Sequence, residues 1–303
     1  MGRGKWKKRG FVQAAAAFLT NSHLSGFWEK KIYTGQGKRL CVPGMNCYSC
    51  PAASGACPIG ALQAVEGSSR FRISFYVLGF LSILGALFGR FICGFLCVFG
   101  WIQDLLYMVP VHKATVPKRL DHFLRWLKYV ILAVFVFGLP IFLRNDLEMS
   151  APYFCKLICP VGTLEGGIPL VLMNRAMRSA AGFLFQWKMM ILIVVVGLSM
   201  VVYRPFCKYI CPLGAFYSLF NRISLIRLSF DEKRCTDCGA CERTCKMNVR
   251  VREKPDSLEC IRCGECAKVC PVHALHLGLK ISPSSANSES VNPERKQIKC
   301  LQK

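Results

Sequence analysis

Cys235-Thr-Asp-Cys238-Gly-Ala-Cys241-Glu-Arg-Thr-Cys245, followed by Cys260-Ile-Arg-Cys263-Gly-Glu-Cys266-Ala-Lys-Val-Cys270-Pro271, decides how this chain is read. Both runs are spaced C-x2-C-x2-C-x3-C. Three thiolates on one tight loop can hold three corners of a metal–sulfur cube, and the fourth ligand must then come from elsewhere in the chain. Gly239, Ala240 and Gly264 are small enough to let backbone amides approach the sulfurs. Zinc sites use four cysteines too, but seldom so tightly spaced and twice over. The spacing therefore points to iron–sulfur ligation.

This is the run of the bacterial two-cluster ferredoxins, in which the fourth cysteine of each run serves the other cluster. That resemblance implies two 4Fe-4S clusters, one on Cys235, Cys238, Cys241 and Cys270, the other on Cys260, Cys263, Cys266 and Cys245. Lys246 stands where the pattern has Pro after Cys245, which loosens that turn without removing a ligand. His273 and His276 read as ordinary residues of the closing segment.

The rest of the 303 residues is unlike a soluble enzyme: 53% are hydrophobic and the mean hydropathy is +0.34. About 20 apolar residues cross a bilayer, and residues 71–92, 123–143 and 183–203 meet that length. Phe11 to Trp28 is a weaker candidate, read as an uncleaved first span, because Gln13, Asn21, Ser22 and His23 interrupt it. Lys and Arg are dense in 1–10 (Arg3, Lys5, Lys7, Lys8, Arg9) and 112–128 (Lys113, Lys118, Arg119, Arg125, Lys128). The positive-inside rule then predicts both termini and 93–122 on the cytoplasmic side, with 29–70 and 144–182 outside. The net charge of +23 is thereby spread over membrane flanks. It forms no basic stripe with interleaved aromatics, which excludes nucleic acid as the expected partner.

A second pattern, C-x3-C-x2-G, occurs three times: Cys93/Cys97/Gly100, Cys155/Cys159/Gly162 and Cys207/Cys211/Gly214. Positions i and i+4 share a helix face, so each pair presents two sulfurs to one neighbour. Pro160 and Pro212 suit a helix start, whose free amides favour thiolates. The plain alternative is free Cys packing as a small hydrophobe.

Together these motifs resemble the membrane ferredoxins of the NapH and NosR type, associated with quinol oxidation in periplasmic nitrate and nitrous-oxide reduction. Cys93/Cys97 and Cys207/Cys211 match that family's two C-x3-C-P motifs, and Cys235 to Cys270 match its ferredoxin part. The resemblance covers 70–280 well and the N-terminal span loosely, and Val98 replaces the family's Pro in the first motif. It implies both matched pairs near the ferredoxin on the cytoplasmic side. Cys93, Cys97, Cys207 and Cys211 are accordingly expected to converge on one redox centre at the inner membrane boundary.

Cys41, Cys47, Cys50, Cys57, Cys155 and Cys159 lie outside that match, all on the predicted outer side. They are read as an outer iron–sulfur centre, formed by the four loop cysteines or by two of them with Cys155 and Cys159. Exposed disulfides and zinc are the alternatives. Cys300, in the polar tail, is given no role. No glycine-rich nucleotide fingerprint or Ser/His/Asp arrangement is present, and the five His lack a spacing suited to haem. Asp104 and Glu165 read as helix-end residues reaching headgroups, with proton relay as the alternative.

The expected architecture is a mainly α polytopic membrane protein with about four transmembrane helices plus short half-helices, and a C-terminal α+β two-cluster ferredoxin-like domain. Its parts are 1–28, a basic start and first span; 29–70, a Cys-rich outer loop; 71–228, the membrane domain; 229–280, the ferredoxin; and 281–303, a disordered tail. The expected function is electron transfer in the cytoplasmic membrane, through two 4Fe-4S clusters and one or two further centres. It would link a cytoplasmic or quinol donor to a membrane or extracytoplasmic acceptor. Lipid, redox proteins and quinone are the expected partners. A redox-sensing or metal-centre maturation protein is the alternative, and a quinol dehydrogenase in its own right is a third reading.

Overall fold

The computed structural model describes residues 6–66, 74–143, 151–179 and 181–279. The start of the second expected span, the tail 281–303 and Cys300 lie outside the described residues. Helices dominate, in short pieces: α1 (Trp6–Thr20), α2 (Ser25–Glu29), α3 (Pro58–Glu66), α4 (Phe75–Phe88), α5 (Phe91–Phe95), α6 (Val98–Leu106) and α7 (Lys118–Ile131). A π-helical stretch, Leu132–Gly138, joins α7 to α8 (Leu139–Phe142). There follow α9 (Tyr153–Leu157), α10 (Pro160–Gly162), α11 (Ile168–Met173), α12 (Arg175–Ser179), α13 (Phe183–Val201), α14 (Pro205–Tyr209) and α15 (Pro212–Leu219). The C-terminal ferredoxin part is bracketed by β1 (Ile226–Phe230) and β2 (Leu275–Leu279) and contains α16 (Ala240–Thr244) and α17 (Glu265–Lys268).

Among the described residues two helices are long and apolar enough to cross a membrane, the continuous Arg119–Phe142 and α13, Phe183–Val201. At 1.5 Å per residue α13 is about 28 Å long, close to the hydrocarbon thickness. It buries only Leu192, Val195 and Ser199, one thin stripe, and leaves Phe183, Ile193, Val194 and Leu198 exposed. An apolar helix that turns so little of itself inward needs an apolar surrounding.

The other two expected spans are shorter. The first resolves into the 15-residue α1 and the five-residue α2, broken near Asn21, as the polar interruption suggested. The inward face of α1 is polar: Arg9 bonds Asp104 on α6 at 2.7 Å, and Gln13 donates to the Gly94 carbonyl. Within the described residues, the second is the 14-residue α4, about 21 Å by the helical rise. Ser74 caps its start by accepting from the Val77 amide. It stops at Gly89, whose φ of +53° suits glycine, and Arg90 then turns inward, fully buried.

Pro140 cannot donate to the helix ladder, and the π-helical stretch lies just before it. The Phe135 carbonyl within that stretch accepts from Gln63 Nε2 of α3 at 2.8 Å, so a side chain meets the loosened backbone. In the ferredoxin part β1 and β2 pair antiparallel, Ile226 opposite Leu279 and Phe230 opposite Leu275. Leu228 and Leu275 are buried in the same apolar cluster as Val249, Val251 and Ile261.

Candidate metal centres

Each C-x3-C-x2-G motif folds alike. The first Cys lies in a five-residue helix (α5, α9 or α14) and the second N-caps the next (α6, α10 or α15). The capping sulfurs of Cys97, Cys159 and Cys211 accept from the amides of Gly100, Gly162 and Gly214 at 3.4, 3.4 and 3.3 Å. This is the N-cap geometry of Ser or Asp with sulfur in place of oxygen. Cys97 caps in this way with Val98 at the first helical position, so the missing Pro costs the motif nothing visible.

Cys93, Cys97, Cys207 and Cys211 line one small, tightly closed cavity of about 10 Å³ with Pro43, Gly44, Met45 and Tyr217. Two arginines clamp it reciprocally. Arg90, three residues before Cys93, donates to the Cys207 carbonyl at 3.1 Å; Arg204, three residues before Cys207, donates to the Cys93 carbonyl at 2.5 Å. Arg90 is paired with Glu259, and Arg204 with Asp104. Those pairs satisfy buried charges that would otherwise be prohibitive. Arg204 is held in the left-handed region, φ 49° and ψ 54°, which is uncommon for a long side chain. Gln103 Nε2 reaches Cys207 Sγ at 3.0 Å while its Oε1 accepts from the Phe206 amide. The sequence signal for the clamp, R-x2-C-x3-C twice, was present and unread; Asp104 is a buried partner of Arg9 and Arg204 rather than a headgroup contact.

Cys47, Cys57, Cys155 and Cys159 line a second, wider cavity of about 270 Å³ with Met45, Tyr48, Gly162, Gly166, Lys156 and Lys188. Of the two sets considered for the outer cysteines, the loop pair with Cys155 and Cys159 is the one brought together. Cys50 packs with Ala52, Ala53 and Cys47, and Cys41, bridged in backbone to Ala56, lies near Cys57, but neither lines this cavity. All eighteen described cysteines are free, so the disulfide reading has no pair here. Glu165 is enclosed beside this set, its Oε2 accepting from the Cys47 amide at 2.7 Å, and does not reach outward. Lys188, a cation within the apolar α13, was missed, although a charge in such a helix is itself a functional flag.

In the ferredoxin part, Cys235, Cys238, Cys241 and Cys270 line a small cavity of about 20 Å³. Cys245, Cys260, Cys263 and Cys266 lie close enough for their charges to interact. Burial pushes the Cys260 thiol up to about 11 and Cys266 up to about 12. The chain thus gathers its cysteines in fours. Among the described residues no three His, Cys, Asp or Glu converge tightly enough for a single metal ion. Four thiols ringing a cavity, with amides aimed at the sulfurs, suit a cluster better than one zinc ion.

The four sets adjoin in series. The two ferredoxin sets share α16 and α17. The Ile261 carbonyl, between Cys260 and Cys263, presses on Gly94, where a Cβ would stand 2.6 Å away. Met45 lines both membrane cavities. The loop 41–57 packs against the Cys93/Cys207 set, and Met45 stands between that set and the wider cavity.

A 4Fe-4S binding domain pattern matches residues 70–117 and 185–230, the segments holding Cys93/Cys97 and Cys207/Cys211. A second 4Fe-4S binding domain pattern matches 254–276. The protein is thus a 4Fe-4S protein of ferredoxin type. MJ0750, an uncharacterized protein of Methanocaldococcus jannaschii, is 32% identical over 183 residues, 58% of this chain and 67% of that one. The methylamine utilization ferredoxin-type protein MauN of Paracoccus denitrificans is 27% identical over 241 residues, 77% of this chain and 72% of that one. The regulatory protein NosR of Pseudomonas aeruginosa is 30% identical over 174 residues, 54% of this chain and 21% of that one. The chain belongs to this NapH/NosR-like family of 4Fe-4S ferredoxin-type proteins. It spans 59% of the length of MJ0749, a further M. jannaschii relative. No solved structure matches it.

Proposed function

We propose that this protein carries single electrons through four 4Fe-4S centres in series, between a donor at the ferredoxin part and a membrane or extracytoplasmic acceptor at the cavity of Cys47, Cys57, Cys155 and Cys159. The carrying observation is the contact series itself, ferredoxin to Gly94 and then to Met45. A 4Fe-4S centre supplies one-electron chemistry whose potential is tuned by charge, hydrogen bonds to sulfur and burial. Tunnelling falls steeply with distance, so centres one residue apart suit such a path. The chain's own contribution is to bury the sulfurs, aim the Gly100, Gly162 and Gly214 amides at them, and set Arg90 and Arg204 beside the middle set.

Arg119–Phe142 and Phe183–Val201 would span the cytoplasmic membrane, with the ferredoxin part and termini on the cytoplasmic side by the Lys/Arg density. At about 270 Å³ the acceptor-side cavity is just under the size of small-molecule sites and opens beside Lys156 and Lys188. A membrane quinone or a redox protein is the class of partner it suits. The test is anaerobic reduction of the purified protein at the ferredoxin, followed by transfer to a soluble or quinone acceptor. Cys97→Ser should stop transfer while the ferredoxin centres still reduce. Undiminished transfer would overturn the series.

A further inference from the structure

The partition between the two membrane sets is Met45, 2% exposed. Its backbone amide faces the Cys97 sulfur, and its Sδ lies 4.0 Å from Cys57 Sγ. The next amide, that of Asn46, faces Cys57 instead. Two successive peptide groups thus serve two different cysteine sets. The neighbours hold this loop in place. Tyr217 donates its hydroxyl to the Pro43 carbonyl at 2.9 Å, and Gly44 lies so close that a Cβ there would stand 2.8 Å from Cys97 Cα.

We propose that Met45 is the positioning residue that couples the two membrane centres. Its amide, backbone and thioether form a one-residue path from Cys97 to Cys57 and set the separation of the two cysteine sets. The inference rests on the reading of both sets as 4Fe-4S ligands. The coupled step moves one electron: the Cys93/Cys207 side is oxidised as the Cys47/Cys155 side is reduced, and no bond or proton changes place. The competing reading is that Met45 fills a gap, as Met often does in cores. For a filler, Leu of similar volume would serve as well.

Met45→Leu keeps the amide and the volume and removes the thioether. Gly44→Ala keeps Met45 and pushes the loop off Cys97. Both are compared with the full-length protein, purified anaerobically, using dithionite as one-electron reductant and ferricyanide as one-electron oxidant. The readouts are iron and sulfide content, the magnetic interaction between the two centres by EPR, and the rate of electron equilibration between them. Met45→Leu should keep the wild-type iron content, weaken the interaction signal and slow equilibration between the two centres. Gly44→Ala should weaken the interaction signal further. Wild-type rates and spectra in Met45→Leu would overturn the proposal, as would loss of iron there, which would leave Met45 a packing support. An unsubstituted protein with only about eight irons would overturn the underlying ligand reading instead.

Discussion

Glu259→Gln should loosen the ferredoxin part from the membrane part. Glu259 accepts from Arg90 Nη1 at 2.8 Å and from Lys128 Nζ at 2.6 Å, and both cationic side chains are fully buried. Removing one partner of a buried pair costs about 3–5 kcal/mol, because it strands the other charge. Arg90 would not be stranded, since the Leu258 and Cys207 carbonyls also accept from it. Lys128 would lose its counter-charge and keep one amide oxygen and the Tyr129 ring, 5.1 Å from its nitrogen. Glutamine retains one acceptor oxygen, so the lower end applies: about 3 kcal/mol, or roughly 150-fold in an opening equilibrium. Hydrogen exchange of the anaerobic protein reads this directly, because local opening exposes contiguous amides. Amides of 258–262 should exchange about a hundredfold faster, while those of α13 stay unchanged. Adding Lys128→Met removes the stranded charge and should restore most of the protection. The reasoning fails if 258–262 changes by no more than the about 0.5 kcal/mol of an ordinary surface substitution, or if the double variant is no better than the single one.

Cys47→Ser and Cys57→Ser should each lower iron by about four per chain, whereas Cys41→Ser and Cys50→Ser should leave it unchanged; equal losses would refute the set drawn around the wider cavity. Gly94→Ala should expose the Ile261 segment to exchange, because its Cβ would meet a carbonyl at 2.6 Å. Gly79→Ala, with nothing within 4 Å, should be silent or stabilise α4 by up to about 1 kcal/mol. With Cys260 and Cys266 pushed up to about 11 and 12, the iron-free thiols are neutral at pH 7. Reconstitution with ferrous iron and sulfide in weak buffer should therefore release protons as the ligands ionise, and a flat pH trace would contradict thiolate ligation.

What was legible in the sequence was local. The spacing of Cys235 to Cys270 and the three C-x3-C-x2-G motifs could be read because their geometry is set within a few residues. The choice of Cys47 and Cys57 over Cys41 and Cys50 could not, since it depends on where a loop of 17 residues meets Cys155 and Cys159. The basic residues misled in part. Lys128 reads as a flank anchor by density, yet it is buried on Glu259, 131 residues away. Arg9 likewise marks a cytoplasmic start in the sequence and a buried partner of Asp104 in the fold. Charge density reports which side of a membrane a segment prefers, but not which carboxylate will meet it. The run 11–28 is apolar in composition, but composition does not show direction: Arg9 and Gln13 face α6, and the helix ends at Thr20.

The central claim is that the cysteines work in four sets of four. Iron and acid-labile sulfide counted on the anaerobically purified protein, with EPR of the reduced state, test it most directly. The account predicts about sixteen irons and matching sulfide per chain, with interacting signals beyond those of the ferredoxin pair. A count of about eight, with only the ferredoxin signals, would contradict it.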